Sequence, residues 1–358
     1  MGETLLPETM RAAVYRGESR VVVEDVPLPK IARGEVLVRI DTCGVCHTDL
    51  KKVAYNLLAP PRVFGHEMAG TIVALGSGVK KWKAGDRVAV FHHIPCGTCF
   101  YCERNEYAQC PRYKQTGTVA AFEPAGGGFA QFIRVMPWIV ERGMVRVPAK
   151  NSFEEASFIE PVNTCLKGVD RMGLRRGDTV LVFGQGPIGL IFTQLVKARG
   201  GKAIGLDLLP TRCVLAKKLG AAAAFDPRDA KFTADLKTRT RGRGADAAIL
   251  AVPSEAAAQQ ALASVRPGGR VLLFAHTKKG DAISLDAGSI CVDEKTVLGS
   301  YSASVDVTDE VARLIFSRKV KVAPLISHRF ALKDIGGAFE LAHHPTPESM
   351  KIVVKPWA

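Results

Sequence analysis

The apolar positions change their spacing about halfway along the chain. Between residues 11 and 91 they come in short β-branched runs: "RAAVYRG", "RVVVEDV", "EVLVRID", "GTIVALG" and "DRVAVF". Gly, Pro and Asp separate them, so each run predicts a strand. A succession of such strands predicts a barrel-like or sandwich module. After about residue 175 the runs alternate in kind. "DTVLVFG" is an apolar strand pattern, and "PIGLIFTQLVKARG" then has helical spacing. "KAIGLD", "PTRCVLAKKLG", "AAAAFD", "ADAAILAV", "EAAAQQALASVR", "GGRVLLFA" and "KTVLGSY" continue the alternation. Strand and helix in turn predict βαβ units and a parallel sheet covered on both faces. Roughly six strands fit between residues 178 and 301. The remaining segment is mixed ("APLISHRF", "MKIVVKP") and is expected to rejoin the first module. The expected division is therefore 1–160, 161–300 and a return over 301–358.

Composition narrows the class. The chain has 358 residues, 47% apolar and 23% charged, as a globular protein does. No apolar stretch reaches the roughly 18 residues of a membrane span. "MGETLLPETM" lacks the charged start and apolar core of a secretory signal, so the cytoplasm is the expected location. The formal net charge is +14, but the cations are scattered over Lys80, Lys81 and Lys83, Arg241 and Arg243, and Lys278 and Lys279. No basic run with interleaved aromatics is present, so a solvated surface is expected and nucleic acid is not a predicted partner.

"VLVFGQGPIGL" puts Gly184, Gly186 and Gly189 in G-x-G-x-x-G spacing, with Pro187 and Ile188 opening a helix. The pattern follows a strand and begins a helix, which is the context a dinucleotide site requires. The glycines permit a tight turn, close approach of a pyrophosphate and close helix–strand packing. Asp207 ends the next strand, 23 residues after Gly184, where a carboxylate can accept a hydrogen bond from the ribose 2′-hydroxyl of NAD. Arg212 follows and could reach the ribose. The plainer reading is three turn glycines with a capping Asp and a surface Arg.

Nine cysteines, an odd number, argue against a disulfide framework and for metal ligands or buried thiols. Cys96, Cys99, Cys102 and Cys110 have C-x2-C-x2-C-x7-C spacing. Four thiolates suit a closed tetrahedral zinc site over residues 95–111, with a [4Fe–4S] cluster as the rival. "CGVCHTDL" packs Cys43, Cys46, Thr48 and Asp49 together, and nothing inside it decides which cysteine is a ligand. "VFGHEMAG" carries His66 and Glu67, and "FIEPVNTC" carries Glu160 in an apolar setting. Each acid alone reads as structural, although a buried glutamate is costly without a partner.

Taken in order along nearly the whole chain, these motifs resemble the zinc-dependent medium-chain dehydrogenases, which act on alcohols, polyols and threonine. The resemblance implies a GroES-like β-rich catalytic domain around a Rossmann doubly wound parallel-sheet domain. In the family's G-x-C-x-[ST]-D motif the ligand is Cys46, with Thr48 as the relay hydroxyl, Asp49 as support and Cys43 outside the pattern. His66 matches the histidine ligand. Glu67 is an exchanging or supporting ligand, and Glu160 matches the position where alcohol dehydrogenases have Cys and sorbitol-type enzymes have Glu. Either glutamate could complete the catalytic zinc site. The implied cofactors are two zinc ions per chain and NAD, and the implied assembly is a dimer or tetramer. The implied reaction moves a hydride between NAD and a secondary alcohol or polyol, with a threonine 3-dehydrogenase-like activity as the alternative. A zinc-free quinone-reductase-like relative or a non-enzymatic nucleotide binder fits the ligand motifs less well. One departure stands out: Lys51 replaces the His that often continues the family's proton relay. Tyr55 and Phe122 are candidate pocket residues.

Overall fold

The computed structural model describes residues 6–116, 127–275, 280 and 282–358. Phe122 lies outside them. Two compact units divide the chain: Met1–Pro161 with Ser304–Ser317 and Val322–Ala358, and Val162–Ala303 with Arg318–Lys321.

The first unit is β-rich. The hairpin of β1 (Thr9–Gly17) and β2 (Arg20–Pro27) is antiparallel, and β4 (Arg62–Val63) pairs with β1. The central strand is β3 (Val36–Gly44), lying between β5 (Glu67–Leu75) and β16 (Lys351–Lys355). β6 (Arg87–Val90) and β8 (Met144–Arg146) extend one side, and β15 (Ile326–Ala331) the other. β7 (Phe132–Val135) also pairs with β3. Every apolar run quoted from this part of the sequence lies on one of these strands. The late segments "APLISHRF" and "MKIVVKP" supply β15 and β16.

β3 matters because its end is where chemistry begins. Gly44 is paired with Glu67 on one side and Val353 on the other. The chain then leaves the sheet, and Cys46 caps the helix His47–Ala54 from an extended conformation. Its sulfur lies 3.5 Å from the Thr48 amide, so the cysteine does at this helix start what Ser or Asp does elsewhere.

The second unit holds a parallel sheet built from β9 (Thr179–Phe183), β10 (Lys202–Leu206), β11 (Ala223–Phe225), β12 (Ala245–Leu250), β13 (Val265–Leu273) and β14 (Thr296–Gly299). Their order is β11-β10-β9-β12-β13-β14, the doubly wound arrangement in which strand order reverses next to the first strand. Leu181, Phe183, Ile204, Leu206, Leu250 and Val271 form its core with apolar side chains of the covering helices. The helix Ala230–Thr240, like Ile159–Arg171 and Ala287–Val292, has no counterpart among the segments marked by apolar spacing. Its buried residues are Phe232, Leu236 and Thr240, too thin a stripe to stand out; Asp229 caps it instead, accepting from the Lys231 amide.

The turn between β9 and the helix Pro187–Ala198 is tightly built. Gly184 has φ +84°, a conformation that glycine adopts without strain. A Cβ at Gly189 would sit 1.7 Å from the Gly184 carbonyl oxygen. Gly189→Ala should therefore lower stability by about 1–3 kcal/mol through forced displacement of the turn. Urea unfolding measures it, and an unchanged midpoint would mean that the turn yields freely.

Candidate active site

Three potential ligand atoms converge at the end of β3. Those of Cys46, His66 and Glu67 all lie within 4.8 Å of one another. They arrive by different routes: Cys46 as a helix cap, His66 from the residue before β5, and Glu67 as the first residue of that strand. His66 Nδ1 lies 3.1 Å from Asp49 Oδ1, and both side chains are buried. That contact fixes the ring and leaves Nε2 for a metal. Burial disfavours the charged ring, but Asp49 and Cys46 outweigh it and raise the His66 pKa well above the usual value. The metal's own charge would compete with that proton.

Cys43 goes elsewhere. It is fully buried in β3, and its sulfur fills space that Cβ atoms at Gly65 or Gly128 would claim, 2.7 Å away in each case. Burial pushes its thiol well above the ordinary cysteine range, as expected of an inert packing thiol.

Glu160 stands outside that triad. It lies in the first turn of the helix Ile159–Arg171, with Oε1 3.8 Å from His93 Nδ1. Burial raises its carboxyl to about 7, with His66 opposing and Glu67 adding to the rise. His93 was not singled out by sequence reasoning. It is buried, 6.3 Å from the His66 ring and 5.1 Å from the Tyr113 ring. Its only trace in the sequence is the pair His92-His93 shortly before Cys96.

Two lysines were also missed. Lys52, next to Lys51, is only 8% exposed. Burial lowers its pKa, while Asp49, Cys46 and Glu160 pull it upward. Lys351 is equally buried and forms an ion pair with Glu67 Oε2. Thr48 is half-buried in the first turn after Cys46, Lys51 is half-buried one turn further on, and Tyr55 is exposed at the helix end.

The four remaining candidate thiols form a second cluster. The sulfurs of Cys96, Cys99, Cys102 and Cys110 also lie within 4.8 Å of one another. Cys99 and Cys102 are 3.5 Å apart, Cys96 and Cys102 3.8 Å. A tetrahedral ion with Zn–S bonds of 2.3 Å requires sulfurs about 3.8 Å apart. A cubane cluster, whose irons occupy separate corners, needs wider spacing, so the donor set fits one ion. Amides of Cys96, Gly97 and Thr98 approach Cys110, Cys102 and Cys96 at 3.3–3.4 Å. The Thr98 amide draws the Cys96 thiol down to about 6.

The dinucleotide motif has its own geometry. The helix Pro187–Ala198 has no side-chain cap at Gly186, so its first amides remain available to an anion. A Cβ at Gly186 would meet nothing within 4 Å, which leaves the approach open. Asp207, just after β10, accepts from the Gln185 amide at 2.6 Å and the Leu209 amide at 2.9 Å. Arg212 Nη1 is 3.8 Å from Asp207 Oδ2.

Two family models match the chain, an alcohol dehydrogenase GroES-like domain over residues 32–148 and a zinc-binding dehydrogenase over residues 187–317. Sorbitol dehydrogenase of Bacillus subtilis is 32% identical, covering 98% of each chain. L-threonine 3-dehydrogenase of Pyrococcus furiosus is also 32% identical, covering 88% of this chain and 90% of its own. The solved alcohol dehydrogenase TADH of Thermus sp. ATN1 superposes with a TM-score of 0.83 at 29% identity, covering 97% of this chain and 99% of that one. The chain belongs to the zinc-dependent medium-chain dehydrogenases, an oxidoreductase family of GroES-like and Rossmann folds that uses zinc and a nicotinamide dinucleotide. Among the described residues no helix is long and apolar enough to cross a membrane.

The raised Glu160 pKa sets a pH dependence in metal-stripped protein. An unfolded glutamate ionises near 4.5, the folded one near 7. Between these values the folded state holds the extra proton, so stability falls as pH rises through the window. Glu160→Gln should shrink the difference between urea midpoints measured at pH 5 and pH 8. An unchanged difference would mean that Glu160 is already ionised at pH 5.

Proposed function

We propose that the protein is an NAD-dependent dehydrogenase of secondary alcohols or polyols, with a catalytic zinc at Cys46, His66 and Glu67 and a structural zinc at Cys96, Cys99, Cys102 and Cys110. The observation that carries this reading is the convergence of Cys46, His66 and Glu67, with Asp49 fixing the His66 ring. Donor chemistry agrees with it: one thiolate, one imidazole and one carboxylate form an open set of the catalytic type, while four thiolates form a closed one. Glu67 is the better placed third ligand; Glu160, beside His93, lines the same buried region.

When bound, zinc supplies a Lewis acid that favours ionisation of an alcohol, and NAD supplies the hydride acceptor. The chain's residues do the rest. Asp49 holds His66 in the tautomer that presents Nε2. Thr48 accepts the alcohol proton at its hydroxyl and passes it outward, a relay and not a strong base. Lys51 lies half-buried one turn along the same helix. The uncapped amides after Gly186 receive the pyrophosphate, and Asp207 receives the ribose.

Polyol oxidation is favoured by the full-length similarity to a sorbitol dehydrogenase. A β-hydroxy amino acid is the second reading, carried by the threonine dehydrogenase at equal identity. A panel of polyols, secondary alcohols and hydroxy amino acids, read by NADH formation, decides between them. We also infer a homo-oligomer, dimer or tetramer, from family membership.

Elemental analysis should find two zinc ions per chain. Cys46→Ala and His66→Ala should each hold one and lose turnover at least about a hundred-fold while still binding NADH. Cys99→Ser should instead lower the thermal midpoint, since a structural zinc contributes folding free energy. Near-normal turnover in Cys46→Ala would refute the catalytic site, and a dead Cys43→Ala would move the ligand role from Cys46 to Cys43.

NAD should be preferred over NADP, because Asp207 places a carboxylate where the 2′-phosphate would lie. Repulsion plus a lost hydrogen bond amounts to roughly 2–4 kcal/mol. The carboxylate already serves two amides and has Arg212 beside it, so the lower end, about thirty-fold in kcat/KM, is expected. Asp207→Ser should narrow the ratio. Equal kcat/KM for the two cofactors in the wild type would remove the assignment.

A further inference from the structure

Lys351 has no role in the reading above, yet it is buried and doubly engaged. It opens β16 and is 8% exposed. Its ammonium donates to the Val45 carbonyl at 2.9 Å and pairs with Glu67 Oε2. Val45 is the residue before Cys46, so one ammonium is fastened both to the ligand loop and to a ligand carboxylate. Room for this pair comes from Gly44. A Cβ there would overlap the Glu67 carboxylate and come within 2.9 Å of Lys351 Cε. The glycine of the G-x-C motif is thus the floor on which the pair rests.

A carboxylate claimed by an ammonium is a weaker ligand for a cation, because the two positive charges compete for one anion. We propose that Lys351 is a positioning residue of the metal centre: it holds Glu67 back from full engagement with the ion, so that a coordination position stays exchangeable for substrate. This rests on the metal reading of Cys46, His66 and Glu67. A purely structural ion pair makes the opposite prediction. Breaking such a pair loosens the site, and the metal leaves faster. Breaking a restraining pair frees Glu67 for the ion and removes a like charge from its surroundings, and the metal leaves more slowly.

The test is zinc release from full-length, zinc-loaded protein into a chromogenic chelator. The kinetic phase missing in Cys46→Ala belongs to this site. Lys351→Met should slow that phase about ten-fold or more and lower kcat, while Lys351→Arg restores both to within a few-fold. Release at the wild-type rate or faster from folded Lys351→Met overturns the proposal. Should Lys351→Met fail to fold, Lys351→Gln, which can still donate a hydrogen bond but carries no charge, takes its place with Glu67 intact. It should slow the same phase, and release at the wild-type rate or faster from the folded variant again overturns the proposal. If Cys46→Ala releases as much zinc as the wild type, the metal reading itself fails, a result distinct from both of these.

Discussion

Several anions cannot share a dry pocket unless cations join them. Glu67, Asp49 and Glu160 are buried close to half-buried Cys46, where Coulomb repulsion between ionised groups is far stronger than in water. His66, Lys52 and Lys351 enter as the counterweight, and a divalent ion completes it. The perturbed protonation states follow from this shortage of positive charge. Glu160 holds its proton upward because burial penalises a further anion, and His66 holds its proton because Asp49 and Cys46 are waiting for a cation. An ion held by Cys46 and His66 would compete for the His66 proton.

The scaffold answers this demand with strand geometry. β3 ends where both of its neighbours bring charge: Glu67 opens β5 on one side, and Lys351 opens β16 on the other. Main-chain pairing fixes the backbone positions from which the two side chains reach each other. A missing side chain at Gly44 lets them meet above the strand. The same economy governs the dinucleotide turn, where the helix after β9 is left without a side-chain cap and its amides stay free for an anion.

Much of this could be read from the sequence, because the candidate ligands lie in contiguous motifs. Cys46 with Thr48 and Asp49, His66 with Glu67, the four thiols over 96–110 and the glycines after β9 are each short-range signals. Most strands and the helices Pro187–Ala198, Pro210–Lys218 and Glu255–Ser264 were legible for the same reason: apolar spacing is a local property. What escaped depends on distance. Lys351 lies 306 residues from Val45, and nothing near it distinguishes it from the other surface lysines of a chain of net charge +14. Lys52 was hidden because a helix buries one of two adjacent lysines and leaves the other half-exposed. His93 gains its meaning from Glu160 on another element, and the helix at 230–240 is held by its cap and three buried side chains, below the reach of periodicity.

The place of β16 in the chain also sets an order of events during synthesis. Every candidate ligand of the open site leaves the ribosome long before Lys351 does. Until β16 docks against β3, Glu67 has no ammonium to hold it, and the nascent centre offers an incoming metal an unrestrained carboxylate. On the restraint proposed for Lys351, docking of this strand turns a trap into a site that can exchange a ligand. Assembly and turnover thus make opposite demands on one glutamate, and the two are separated in time by the position of a single lysine in the polypeptide.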